Sequence, residues 1–517
     1  MKASLNCQKV TDFFDIDTFL AEVDNNQEIR LQINKSVGNL NENISISPLL
    51  QKLYANAQSN AKRHSPQGHR HNETIKKFAG SLLCLIGSAG YDMLQANFGN
   101  GLPHISTARK VISNQIKIVE GKFYFEELRL HLEKWDAPMF INVHLDDTRI
   151  VNKVEYDEAT NRFVGFVMPL KDGIPVTDTF LLESFDEIKE ALESSSIGKY
   201  AHCIVVKSVK VSVPSFVLFT LCTDSKYDNT VIMKRWDYVQ TNLQKLGITV
   251  VSNGADGAGP FLKAMSIKSG LFNRTHKNDI LKYWTFYWMP EMYENSLSCQ
   301  DIVHLLAKLR TRLLTPSNLI VMGNNVTACR AHLQQVLTSY SKGEHQLTNQ
   351  ILENKDKQNY ESIEKLVSEG VRECLTKLQG KYETKGTIVY LWMMSCIRDA
   401  FFDKALSPIK RLSLMWEVVF FLRIWRLWLY NNGYSEADHF ITQNAYICIE
   451  LNSHLVVNVI CNVINGHFPK ESFRFWTFGS QACEQAFRLL RSMTSTFSTI
   501  VNFSLKGNIL SVFVIVN

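Results

Sequence analysis

Polar and apolar positions change texture three times along this 517-residue chain. Residues 1–75 are polar, rich in Asn and Gln, and end in a basic, His-dotted run from Ala61 to His71. Such a composition buries little apolar surface and predicts a polar, disordered lead. His64, His69 and His71 are irregularly spaced with no Cys among them, so they read as solvated linker rather than a metal site. Residues 76–135 predict a helical segment. Ile75–Ala89 is an apolar run, Phe98–Pro103 a Gly/Asn/Pro turn, and Ser106–Leu132 mixes charge with periodic Val, Ile, Phe and Leu.

The pattern then turns strand-like. Ala137–Leu145 is a β-type apolar run, Ile150–Asp157 alternates, and Asn161–Leu170 follows an acidic turn. A helix over Glu183–Ser194, an extended region His202–Thr223, a helix Val231–Leu246 and a buried strand Ile248–Ser252 complete a mixed α/β sheet. From Asp301 onward apolar residues recur at helical spacing over Asp301–Leu314, His332–Tyr340, Tyr360–Leu378, Thr387–Phe402 and Ile409–Tyr430. A last helix is expected from Ser480 to about Ser492, before an apolar end at Asn508–Asn517.

Composition narrows this picture modestly. Length predicts about three or four domains, and 45% hydrophobic with 21% charged residues excludes wholesale disorder. A net charge of +6 permits a polyanionic partner without demanding one. The 11 cysteines are scattered singly with no CxxC pair, which predicts buried thiols in a reducing compartment. No apolar leader opens the sequence, and the most lipid-like stretch, Leu412–Tyr430, carries Glu417, Arg423 and Arg426. A soluble, intracellular protein with no membrane partner is therefore expected.

Three acidic positions stand where chemistry could be built. Asp146 and Asp147 end the run Ala137–Leu145, Asp256 follows the strand Ile248–Ser252, and Glu484 falls early in the last helix. Carboxylates on neighbouring strand ends, with a third from a helix beside them, would repel unless Mg²⁺ neutralised them. Two such ions suit phosphodiester displacement. Fifty acidic residues also place some at strand ends by chance, so spacing leaves both readings open. Gly254, Gly257 and Gly259 follow a strand but lack the GK[ST] ending of a phosphate loop. Lys308, Arg310 and Arg312 read as a solvated basic helix face.

At these residues the sequence resembles the P-element-type transposases, including their THAP-domain relatives. FINVHLDDTRIVNKVEYDEATNRFVGFV is similar to the family's first catalytic strand and hairpin, and ITVVSNGADGAGPFLKAM to the segment of its second Asp. CQDIVHLLAKLRTRLL resembles the opening of its insertion domain, and SQACEQAFRLLRSMTSTFSTIVNFS the region of its final Glu. The resemblance implies an α/β RNase H-like core with a mixed sheet, interrupted by a large, mainly α-helical insertion domain. It divides the chain into a lead (1–75), a helical segment (76–135), a first core part (136–300), an insertion (301–450) and a final helical core part (451–517).

It further implies that Asp146, Asp256 and Glu484 are catalytic ligands of two Mg²⁺ ions, with Asp147 a bystander. DNA would be the partner, a homo-oligomer the assembly and the nucleus the location. The family's insertion binds GTP, so a GTP site is implied, with Asp301, His304 and Lys308 matching the opening motif. Only Cys7 and Cys84 precede residue 200, so the zinc-coordinating THAP module is absent. Lys76, Lys77, Arg109 and Lys110 remain for phosphate contacts. Ala258 and Gly259 depart from the second motif, and the abrupt apolar end is expected of a truncated copy. These departures favour a decayed or domesticated element. The rivals are a catalytically silent DNA- or protein-binding scaffold and a GTP-binding regulator built on the insertion.

Overall fold

A computed structural model of the chain describes residues 48–63, 65, 68–98, 101–113, 118–157, 160–270, 297–356, 359–380 and 383–493. The polar lead up to residue 47, His64 and the apolar end Asn508–Asn517 lie outside the described residues. The described chain forms two compact units, one running to residue 80 and resuming at 88–109, the other comprising 81–87 and everything from 110.

The first unit holds helix α1 (Pro48–Ala61), most of α2 (Glu73–Asn97) and the start of α3 (Ile105–Ser113). Asn72 caps α2 by accepting from the Ile75 amide, and the helix is interrupted at Gly87, whose φ of 72° only glycine adopts freely. The Asn60 side chain brackets the Arg70 backbone through bonds of 3.0 and 2.8 Å, and buried Tyr91 donates to the Pro103 carbonyl at 2.7 Å. A boundary at residue 75 would therefore cut through the first turn of α2.

The second unit is built on a sheet. Along the chain come α4 (Phe125–Lys134), β1 (Phe140–Arg149), the hairpins β2 (Glu155–Asp157) with β3 (Arg162–Val164) and β4 (Leu170–Lys171) with β5 (Ile174–Pro175), then α5 (Phe185–Ser194). Next are β6 (Tyr200–Ser208), β7 (Phe216–Thr223), α6 (Asn229–Lys245), β8 (Thr249–Ala255), α7 (Gly259–Lys268) and β9 (Leu297–Gln300). Five of these strands pair in the order β7-β6-β1-β8-β9. Pairing is antiparallel from β7 to β1 and parallel from β1 to β9. β7 is buried at all eight positions, as a strand covered on both faces must be.

Two expectations change here. Asp146 and Asp147 do not end the strand: pairing with β6 continues from Asp146 opposite Cys203 to Arg149 opposite Tyr200, so both lie inside β1. The alternating stretch Ile150–Leu170 contributes short strands of two separate hairpins and an isolated bridge from Phe166 to Ile197, and adds no strand to the five-stranded sheet.

Beyond β9 the chain is mainly helical. It runs through α8 (Ile302–Leu314), a hairpin of β10 (Ile320–Gly323) and β11 (Val326–Ala328), α9 (Arg330–Ser339), α10 (Tyr360–Leu366), α11 (Glu369–Leu378), α12 (Lys385–Phe402), α13 (Pro408–Asn431), α14 (Gln443–Ile464) and α15 (Gln481–Met493). The single helix expected over Tyr360–Leu378 is two, broken at Val367 and Ser368. α14 continues unbroken across residue 450, so a domain boundary there falls inside a helix.

α14 is also the one described helix long and apolar enough to cross a membrane, yet 72% of its apolar window is buried within the protein. It carries buried Glu450, which takes both ends of the Arg423 guanidinium from α13 at 2.9 and 2.7 Å and the Tyr446 hydroxyl at 2.8 Å. A bidentate, fully bonded pair of this kind fixes the register of two packed helices.

The basic face of α8 is not solvated. Arg310 is buried and donates to the carbonyls of Ile351, Asp356 and Asn359. Arg312 donates to those of Ala437, Asp438 and Phe440. Guanidinium groups here satisfy the loose carbonyls of neighbouring segments, a demand no local pattern announces.

Candidate active site

β1 is the central strand, and its period of two sorts its side chains. Asn142 and His144 meet the segment leading into α15: the Asn142 amide donates to Thr477 at 3.2 Å, and His144 Nδ1 donates to the Gly479 carbonyl. Burial pushes the His144 imidazole down to about 4, against that backbone bond, so the ring is a neutral strut. The Cys483 thiol donates back to the His144 carbonyl at 3.2 Å.

Two glycines permit this close approach. A Cβ on Gly254 of β8 would overlap the Gly479 carbonyl oxygen, and one on Gly479, at φ 92°, would stand 2.9 Å from an Asp301 carboxylate oxygen. Gly254 belongs to no phosphate loop: its missing side chain lets the segment before α15 lie against the sheet. Gly254→Ala should therefore lower stability by about 1–3 kcal/mol, the range for overpacking, read by denaturant unfolding.

The parallel register sets His144 of β1 opposite Gly254 of β8. Two residues further along each strand direction stand Asp146 and Asp256. Asp256 lies just past β8, where its Oδ1 accepts from the Ala258 amide at 3.1 Å and turns the chain into α7. Lys308 and Asn444 fix this turn by donating to the Gly257 carbonyl at 3.2 and 2.8 Å. Glu484 sits in the first turn of α15, at the N-terminal end where the helix dipole favours an anion.

Asp146 is buried, and its Oδ1 accepts from the Asp147 amide at 2.8 Å. Burial, then the charge of Glu484, then that of Asp256 raise its carboxyl well above the usual range, while His304 pulls the other way. The three sequence-predicted acids thus share one electrostatic neighbourhood. Among the described residues, no group of three or more His, Cys, Asp or Glu side chains stands arranged to hold a metal ion.

Asp301 ties this neighbourhood together. It caps α8, and its Oδ1 accepts from the His304 amide at 2.9 Å and from His304 Nδ1 at 3.1 Å. Its Oδ2 accepts from the Ser480 backbone amide, the Ser480 hydroxyl and the Gln481 side-chain Nε2 at 2.9, 3.1 and 3.0 Å. Full burial works against its charge, yet these donors, His304 first, hold the carboxyl below the ordinary carboxylate range. Burial also opposes the charge on His304, but the Asp301 bond, with the charges of Asp301, Asp146 and Asp256, raises it to about 9. His304 is accordingly a cation among acids at neutral pH.

Asp147 lies apart from this cluster. Its carboxylate accepts from His202 Nδ1 at 2.7 Å, from the Ser225 hydroxyl at 2.6 Å and from the Tyr227 hydroxyl. A cavity of about 470 Å³ opens beside Glu484 and His304, walled by Val303, Ala307, Tyr360, Phe402 and Trp476 with the amides of Gln481 and Gln485. Arg411 and Lys404 stand 5.6 and 6.0 Å from the Trp476 ring centre. The wall comes from segments far apart in sequence, so no local motif reveals it.

No family model and no curated protein matches the sequence. Among solved structures the chain is similar to the Drosophila P element transposase strand transfer complex. The TM-score is 0.59 at 13% identity, over 94% of this chain and 98% of that one. At that identity the likeness is one of fold, and this chain has a P element transposase-like fold.

Proposed function

We propose that this chain is a transposase-type nuclease that cleaves and transfers DNA strands on an RNase H-like core. Asp146, Asp256 and Glu484 are its metal ligands. The observation that carries the reading is the register of β1 against β8, which brings Asp146 level with Asp256 just past β8, while Glu484 of α15 is near enough for its charge to act on the buried Asp146 carboxyl. The sheet order β7-β6-β1-β8-β9 supports the core assignment, and the helices between β9 and α15 support an insertion.

Three carboxylates are hard oxygen donors, and their mutual repulsion is what a dication relieves, so their chemistry suits Mg²⁺, and an ion bound there would draw together side chains that do not form a metal cluster as they stand. Two Mg²⁺ ions bound there would activate a water or 3′-hydroxyl and stabilise the leaving oxygen. The chain's own part is to hold Asp146 on the sheet and to deliver Glu484 through the contact of Gly479 with Gly254. The matched transposase is described as a strand transfer complex, which supports DNA as the partner here. A nuclear location and a homo-oligomeric assembly belong to the same reading.

GTP is proposed as a further ligand. The cavity beside Glu484 is lined by Tyr360, Phe402 and Trp476, aromatic side chains of the kind that pack on a purine base, with Gln481 and Gln485 among its polar lining. Saturable binding of GTP to the full chain, weakened by Trp476→Ala, is the expected result.

One observation favours a catalytically silent binding protein instead: His304 already sets a positive charge among the acids. Mn²⁺ titration of the full chain, beside DNA cleavage in Mg²⁺ against chelator, separates the readings. Saturable Mn²⁺ binding with Mg²⁺-dependent cleavage is expected; absence of both leaves the silent reading.

A further inference from the structure

The reverse face of β1 carries a second, separate polar cluster. Asp147 stands directly opposite His202 of β6 in the antiparallel register, and Ser225 and Tyr227 reach it from the loop after β7. Three donors from two further segments therefore converge on one carboxylate. Behind them lies Arg235 of α6, which is buried. Its guanidinium carbon sits 5.8 Å from the Tyr227 ring centre and 5.7 Å from that of Phe219, while its Nε donates to the Gly173 carbonyl at 2.9 Å. The His202 ring stacks at 6.3 Å on Phe261 of α7.

This carboxylate accepts three hydrogen bonds, one at Oδ1 and two at Oδ2, and has a buried guanidinium behind it, so its charge is met by the protein itself. It is a fixed point that joins β1, β6, the loop after β7, α6 and α7. The peptide N–H of this same residue holds Oδ1 of Asp146 at 2.8 Å. Whatever fixes Asp147 therefore fixes the donor that orients Asp146 on the opposite face.

We infer that Asp147 is a positioning residue, which clamps the 146–147 peptide from behind so that Asp146 presents its second oxygen to the cation site. The inference rests on the metal-binding reading proposed above. Groups one shell removed from a metal typically alter its affinity about 10–100-fold when changed. Asp147→Asn keeps the shape but replaces one acceptor oxygen with an NH₂, which then faces His202 or the Ser225 and Tyr227 hydroxyls. Tyr227→Phe removes one donor and little else.

The test is Mn²⁺ affinity of the full chain measured by calorimetry, together with thermal melting. Val239→Ala, which removes buried apolar volume from α6, serves as a comparator of lowered stability. Asp147→Asn should weaken Mn²⁺ binding by about tenfold or more, and Tyr227→Phe by a smaller factor. Val239→Ala should bind Mn²⁺ as wild type despite melting lower. If Asp147→Asn does not fold, Tyr227→Phe carries the test alone. Wild-type affinity in both Asp147→Asn and Tyr227→Phe overturns the positioning role and leaves the metal site standing. An affinity loss that simply follows melting temperature, Val239→Ala included, also overturns it. A wild type that binds no Mn²⁺ overturns the metal-site reading itself, and this inference with it.

Discussion

Glu484→Gln should reduce Mg²⁺-dependent DNA cleavage by about 10³-fold while leaving the melting temperature nearly unchanged. A metal-bound nucleophile and leaving group draw several kcal/mol from the ions, and each 1.36 kcal/mol is a factor of ten in rate. The amide keeps the size of the side chain but removes the charge a dication needs. Glu484 is partly exposed in the first turn of α15, so little folding energy depends on it. Its removal has a second expected effect. Glu484 is the largest charged contribution raising the Asp146 carboxyl, so that group should ionise more readily in the variant. Asp256→Ala should lose cleavage to a comparable extent. A wild-type rate in either variant, measured on the same DNA as an active wild type, removes that residue from the metal set.

Much of the sheet was legible because its strands are short apolar runs between turn signals. β8 and α15 were expected at Ile248–Ser252 and from Ser480, and they occur at Thr249–Ala255 and Gln481–Met493. The three acids were singled out by the resemblance of their segments to the P-element-type transposases, since position at a strand end left them among fifty acidic residues; the register that sets Asp146 and Asp256 at one level is visible only in the fold. What escaped the sequence are contacts between distant segments. Asn142 meets Thr477 and His144 meets Gly479 across 335 positions, so Gly254 gave no sign of being a contact point. Arg310 and Arg312 looked like surface charge because their partners are backbone carbonyls, which no residue type marks. Asp147 looked idle beside Asp146 for a similar reason: its donors arrive from β6 and the loop after β7. Asp301 reads in the sequence as the first residue of its helix and as part of the insertion-opening motif, whereas it caps that helix from just outside it. Its grip on Ser480 and Gln481 has no local sign.

That grip should make the Asp301–His304 pair the most consequential buried contact in the region. In Asp301→Ala, the Ser480 amide and hydroxyl, the Gln481 amide and a protonated His304 all lose their acceptor in a buried place. Breaking such a pair from one side costs about 3–5 kcal/mol, readable by denaturant unfolding. The pH dependence has two limbs of opposite sign. Asp301 is held below its unfolded value, so its contribution is present above about pH 3.9 and is lost as pH falls toward its folded value. His304 is raised, so its contribution is complete below 6.5 and is lost as pH climbs through about 9. The rise from 6.5 to about 9 corresponds to about 3 kcal/mol. In chelator, the stability difference between wild type and His304→Gln should therefore shrink between pH 6.5 and 9. Saturating Mg²⁺ should move that loss to lower pH, because a dication screens the carboxylates of Asp146 and Asp256 that help to keep His304 charged. A difference that stays flat across this range would show that His304 is not the cation of the cluster. The neutralisation of its acids would then fall to the metal ions alone.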